Sequence, residues 1–122
     1  MTLRAVVIGA GWAGEGHTIG LREAGVEVVA LCGRTPESAY QRAAQLGITD
    51  VRFDWRAALA ELQPEIVTIA TPADTHRAIA EFAAGLGCHI VCEKPLATNL
   101  AGAQAMCQAV ERAGVKHGYA AT

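Results

Sequence analysis

Short apolar runs alternate along this chain with longer segments in which apolar residues recur every three or four positions. The first kind reads as buried strand and the second as amphipathic helix. The runs predict strands over residues 4–8, 26–32, 51–53, 65–70, 89–92 and 115–119. Most are nearly continuous in Val, Ile, Ala and Leu, the pattern of strands covered on both faces. Helices fill the intervals. One opens near Trp12 and stops at Gly25; the next starts at Pro36, where a missing N–H costs nothing, and ends at Gly47. Asp54 is placed to cap a helix over 55–62, Asp74 or Thr75 one that runs to about Leu86, and Thr98 or Asn99 a last one closed by Gly114.

Strand and helix in regular alternation build right-handed β-α-β units. Six such strands predict a doubly wound α/β domain, one parallel sheet of order 3-2-1-4-5-6 with helices on both faces. A chain of 122 residues without linker, repeat or low-complexity tract is expected to form one domain over residues 1–122. In this topology ligands bind at the carboxyl ends of the strands, where the strand order reverses.

Composition narrows the function classes. The chain is 52% hydrophobic but only 5% aromatic, which suits a core of small aliphatic side chains between helices and a sheet. A net charge of -2 without a basic cluster argues against nucleic acid or an anionic membrane as partner. No apolar run approaches membrane-spanning length, and residues 1–8 lead straight into the first strand with no signal-peptide layout, so a cytoplasmic protein is expected. Cys32, Cys88, Cys92 and Cys107 fall inside predicted strands and a helix without metal-ligand spacing. They read as reduced, mostly buried thiols, Cys88 and Cys92 as a strand-face repeat, and no metal site is expected.

The first strand runs into Gly9-Ala10-Gly11-Trp12-Ala13-Gly14, and a helix follows at once. In that setting each glycine has a job: Gly9 for the tight turn, Gly11 for close approach of a pyrophosphate, Gly14 for packing of helix on strand. An ordinary strand-to-helix turn is the plain alternative. About twenty residues on, where an acidic residue would hold the 2′-hydroxyl of an NAD ribose, the second strand ends in Gly33-Arg34-Thr35. With no carboxylate there, Arg34 and Thr35 can offer a guanidinium fork and a hydroxyl to a 2′-phosphate, which favours NADP and leaves NAD possible. Arg34 could equally be a surface arginine stacked on adenine. A methyltransferase is conceivable from the glycine turn alone, but the missing acidic residue weighs against it.

Thr71-Pro72 with His76, and the stretch Gly87-Cys88-His89-Ile90-Val91-Cys92-Glu93-Lys94-Pro95-Leu96-Ala97, closely resemble the Gfo/Idh/MocA oxidoreductases, and the glycine turn fits the same family. The resemblance covers essentially the whole chain and implies a Rossmann fold with a nicotinamide cofactor. It also implies that Lys94 lies beside the nicotinamide and touches the substrate hydroxyl, as the catalytic residue. Glu93 would orient the loop and contact the cofactor ribose, Pro95 would shape the turn, and Thr71, Pro72 and His76 would border the nicotinamide half. Taken singly, Lys94 reads as an exposed loop lysine and His76 as a surface residue at a helix start; His17 and Trp12 flank the pyrophosphate or pack on the sheet.

Members of that family continue into a second domain that holds the substrate. The chain is therefore expected to be the nucleotide-binding part of a dehydrogenase acting on the CH–OH of a sugar, polyol or derivative, inactive alone, with a small-molecule substrate only where a second domain exists. The alternatives are a dinucleotide-binding or redox-sensing module without chemistry, and a self-associating structural domain. Apolar surface left open at the strand ends predicts a homo-oligomer.

Overall fold

The computed structural model describes residues 2–120; Met1, Ala121 and Thr122, the ends of the expected domain, lie outside the described residues. The strands are β1 (Arg4–Ile8), β2 (Glu27–Cys32), β3 (Val51–Arg52), β4 (Ile66–Ile69), β5 (His89–Glu93) and β6 (His117–Ala120). Between them run α1 (Trp12–Glu23), α2 (Pro36–Leu46), α3 (Trp55–Leu62), α4 (Ala73–Gly85) and α5 (Leu100–Ala113). All six strands are parallel, in the order β3-β2-β1-β4-β5-β6. The α/β doubly wound Rossmann arrangement expected from the alternating pattern is the one observed.

Two apolar layers hold it. On one face Val6, Ile8, Val67, Ile69, Ile90 and Cys92 of the sheet meet Leu59 of α3, Ile79 and Ala83 of α4, and Met106 and Val110 of α5. On the other, Val7, Val28 and Leu31 meet Ala43 and Ile48, with Leu21 of α1 packed alongside. Alanine at so many helix positions lets the helices lie close on the sheet, where larger side chains would force them apart. No helix is long and apolar enough to cross a membrane among the described residues.

Most helix ends follow the local rules. Asp54 caps α3 by accepting from the Ala57 N–H at 3.2 Å. At α5 the cap is Asn99, which accepts from the Gly102 N–H at 2.8 Å, and not Thr98. At α4 the cap falls on neither Asp74 nor Thr75: Pro72 holds that position, with φ of -59° already close to helical. Asp74 lies in the first turn, and the Thr75 hydroxyl folds back to donate to the Pro72 carbonyl at 2.7 Å. Cys88 stands one residue ahead of β5 rather than within it, yet it shares the core with Cys92.

Cys32, Cys88 and Cys92 are buried and Cys107 is exposed; none is bridged. Burial pushes the Cys32 and Cys92 thiols up to about 12 and raises that of Cys88 as well. Since the thiolate is the reacting species, an aromatic disulfide reagent near neutral pH should titrate one thiol of the native protein at once and the other three only after denaturation. The fast thiol should vanish in Cys107→Ser; two fast thiols in the wild type would contradict this burial.

Candidate functional site

The strands end in register at one edge of the sheet. Ile8 pairs with both Cys32 and Ile69, and Ile69 with Cys92, so the loops that follow β1, β2, β4 and β5 emerge side by side. The Gly9 N–H donates to the Cys32 carbonyl at 2.8 Å and the Ala70 N–H to the Ile8 carbonyl at 2.7 Å, which carries the pairing one residue past the strands. Beyond that point β1 and β4 part, because α1 and α4 leave toward opposite faces. The gap is a cleft of about 530 Å³, within the range of small-molecule and cofactor sites.

Gly9, Gly11, Gly33, Arg34, Thr35, Thr71 and Pro72 all line this cleft. The three glycines of the turn are not equivalent. Gly9 has φ of +124°, and a Cβ there would stand 2.4 Å from the Ala70 carbonyl oxygen. A Cβ on Gly14 would stand 1.9 Å from the Gly9 carbonyl oxygen. Both are demanded by the fold itself. Gly11 caps α1 with no side-chain hydrogen bond, and a Cβ on it would meet nothing within 4 Å. The space above Gly11 is open, and the first N–H groups of α1, those of Trp12, Ala13 and Gly14, have no intrahelical partner. A helix start of this kind, with its dipole and free donors, receives a phosphate or pyrophosphate. Trp12 itself is 84% exposed and does not line the cleft.

At the far end of the cleft, Gly33 has no freedom to vary: a Cβ would lie 2.5 Å from that of Ala39 on α2. The place where a carboxylate was sought is filled by helix packing. Arg34, Thr35 and Ser38 stand exposed at the start of α2, which has no side-chain cap. Phe53 and Trp55, at the β3–α3 turn, complete the wall. No sequence motif marks these two residues, because their place in the site depends on β3 lying next to β2. The same holds for Arg42 of α2, whose guanidinium donates to the Ala10 carbonyl at 3.1 Å and pairs with Glu15 of α1, bracing the glycine turn from outside.

The Glu93-Lys94-Pro95 loop leaves β5 next to the cleft without forming its wall. Lys94 and Pro95 are exposed, and the peptide bond between them is cis. Glu93 is nearly enclosed: one carboxylate oxygen lies 3.0 Å from His17 Nε2 on α1, and the other accepts the Lys94 N–H at 3.1 Å. The His17 contact, opposed by burial and reinforced by the Lys94 N–H, holds the Glu93 carboxyl below the usual carboxylate range. Glu93 thus joins α1 to the backbone of the Lys94 loop, through a partner that sequence alone did not identify.

His76 is the clearest departure. It was expected to border the nicotinamide, but it is completely buried behind the β4–α4 loop, with Nε2 2.6 Å from the Thr71 carbonyl and Nδ1 3.1 Å from the Leu96 carbonyl and 3.2 Å from Cys92 Sγ. A residue with no exposed surface touches no ligand; its ring ties the β4–α4 loop to the end of the Lys94 loop. Among the described residues there is no group of His, Cys, Asp and Glu that could hold a metal ion.

Relatives agree with this geometry. Residues 3–120 match the Gfo/Idh/MocA family, described as an oxidoreductase family with an NAD-binding Rossmann fold. D-apiose dehydrogenase of Paraburkholderia graminis is 39% identical over 113 residues, 92% of this chain and 30% of that protein. An oxidoreductase from Agrobacterium radiobacter, solved with NAD+, L-tartaric acid and magnesium, superposes with a TM-score of 0.92 at 29% identity over 98% of this chain and 35% of its own. Biliverdin reductase from Synechocystis sp. PCC 6803, solved with biliverdin and NADP+, does so at 0.88 and 26%, over 96% and 37%. The chain therefore spans about a third of the length of such relatives. A glycine turn with open space only above Gly11, a free helix start beneath that space and a family match over residues 3–120 lead to one assignment: the chain belongs to the Gfo/Idh/MocA family, as its NAD-binding Rossmann domain.

Proposed function

We propose that the domain carries the nicotinamide dinucleotide of an oxidoreductase that moves hydride between NADP(H) and the CH–OH group of a sugar, polyol or related compound. The carrying observation is the open space at Gly11 above the unpartnered start of α1. The bound cofactor supplies the hydride acceptor or donor; the chain's own residues bind, orient and handle the proton. The N–H groups of Trp12, Ala13 and Gly14 take the pyrophosphate, and Arg34, Thr35 and Ser38 face the adenosine end. Thr71 and Pro72 border the nicotinamide half, and Lys94, at the mouth, touches the hydroxyl being oxidised and handles its proton.

The glycines give the sharpest test. Gly11→Val should keep the melting temperature of the wild type and lose NADPH binding, since its side chain enters only the space reserved for pyrophosphate. Gly14→Ala should destabilise the fold by on the order of 2–4 kcal/mol, because its methyl collides with backbone. Calorimetric melting and NADPH fluorescence titration read both. Unchanged NADPH affinity in a folded Gly11→Val would place the cofactor elsewhere.

The choice of NADP over NAD rests on a β2 end without a carboxylate, where Ala39 leaves no room for a side chain at Gly33 while Arg34 stands free at the helix start. Arg34→Ala should weaken NADPH binding by about 1–3 kcal/mol and leave NADH binding nearly unchanged. Equal losses for both would assign Arg34 to stacking on adenine, and tighter binding of NADH by the wild type would refute the preference.

A second reading, dinucleotide binding without chemistry, draws on one observation: Lys94 is exposed and the cleft wall does not extend to it. NADP+ reduction assayed against a panel of sugars and polyols separates the two. Under the enzymatic reading Lys94→Ala lowers turnover about 10²–10⁴-fold at unchanged NADPH affinity. Both measurements use a protein in which the domain is joined to one that holds the substrate, since the domain by itself is expected to be inactive. Turnover indifferent to that change would remove Lys94 from catalysis, and NADPH binding with no turnover there would favour the second reading.

A further inference from the structure

We propose that His17 is a positioning residue that couples the pyrophosphate-binding helix to the Lys94 loop, with His76 as the fixed anchor on the loop's other side; this rests on the dinucleotide reading given above. The loop from Glu93 to Leu96 has little to hold it. Lys94 and Pro95 are exposed, and Leu96 is the one member packed against the main core. Besides the pairing of Glu93 with Ala120 of β6 and a long contact of Cys92 Sγ to the Glu93 carbonyl at 3.5 Å, its polar ties among the described residues are three: Glu93 to His17, the Lys94 N–H to Glu93, and the Leu96 carbonyl to His76. Each outside partner lies on a helix that begins at the cleft, His17 on α1 and His76 on α4.

The two anchors differ in kind. His76 is wholly buried and also reaches the Thr71 carbonyl, so it joins two loops of the same half of the sheet and has no direct tie to α1. His17 sits beyond the first turn of α1, with its side chain 10% exposed against 17% for that of Glu93. Water competes weakly for so enclosed a pair, and a carboxylate left there alone would turn outward to be solvated. In doing so it would release the Lys94 N–H, which is bonded to the other oxygen of the same carboxylate. A ligand that fixes the start of α1 therefore also fixes Glu93, and through it the backbone of Lys94. A merely structural histidine would affect all ligands of the cleft alike; a coupling residue affects those that reach the loop.

Two probes separate these cases: NADPH, and adenosine 2′,5′-bisphosphate, which ends before the nicotinamide. In His17→Phe, which keeps the ring and removes the donor, NADPH affinity should fall about tenfold while that of the bisphosphate holds. Without ligand, the Lys94 amide should exchange with solvent about tenfold faster by NMR, while the amides of β1 and β4 keep their protection. His17→Gln, whose side-chain N–H can donate to Glu93, should recover both. Equal loss for both probes with no recovery in His17→Gln would overturn the coupling and leave His17 a support of the glycine turn; so would Lys94 exchange unchanged in His17→Phe. Failure of the wild type to bind any of the nicotinamide cofactors would instead strike the dinucleotide reading, and the ligand-free exchange of Lys94 would still decide the coupling.

Discussion

Everything at the strand ends depends on how closely the start of α1 can press against the end of β1. Three stretches of backbone meet there: Gly9 leans on the Ala70 carbonyl, and Gly14 leans on the Gly9 carbonyl, at separations no Cβ would permit. Because the helix begins so near the sheet, its first turn follows directly on Gly11, which lines the cleft. The helix start becomes a place for a phosphate only through this approach; an ordinary turn with larger side chains would lift α1 and close the gap.

An anion site of this kind has to manage the acidic residues near it. Glu15 lies in the first turn of α1 and Glu93 at the end of β5, and each is matched by a cation or a hydrogen-bond donor from another element: Arg42 for Glu15, His17 for Glu93. Arg42 also holds the Ala10 carbonyl, so a single side chain of α2 both offsets the acidic charge and stiffens the turn. The Arg42–Glu15 contact lies partly open to water and contributes little to global stability, while the His17–Glu93 contact is the more enclosed of the two. Their effect is on placement, since each fixes a loop that the apolar core does not hold.

The core itself asks less of particular residues. Strands of Val, Ile and Ala covered by alanine-rich helices set the layers, and two buried clusters hold them. At the edge of the sheet this logic fades, and β6 is largely exposed along its length. The loop that carries Lys94 belongs to that looser side, so histidine and carboxylate contacts rather than apolar packing decide where it stands.

The sheet order, all eleven elements and the glycine turn were legible in the sequence, because each is written in neighbouring residues: apolar runs bounded by Gly, Pro, Asp and Asn, and a turn whose backbone only glycine allows. The cap of α4 was misread by two or three positions because Pro72 can begin a helix without a capping side chain. What local pattern could not disclose was partnership across the fold. His17 and Glu93 are 76 positions apart, and nothing in either segment announces the other. His76 carries the same type and spacing whether it faces a cofactor or the interior; the packing of α4 on β5 turned it inward, onto Leu96 and Cys92. Phe53, Trp55 and Arg42 joined the site for the same reason. Sequence by itself determined which backbone shapes could form and in what order, since those depend on steric limits a few residues long. Which side chains face one another was decided only when the parallel register brought distant strand ends to one edge.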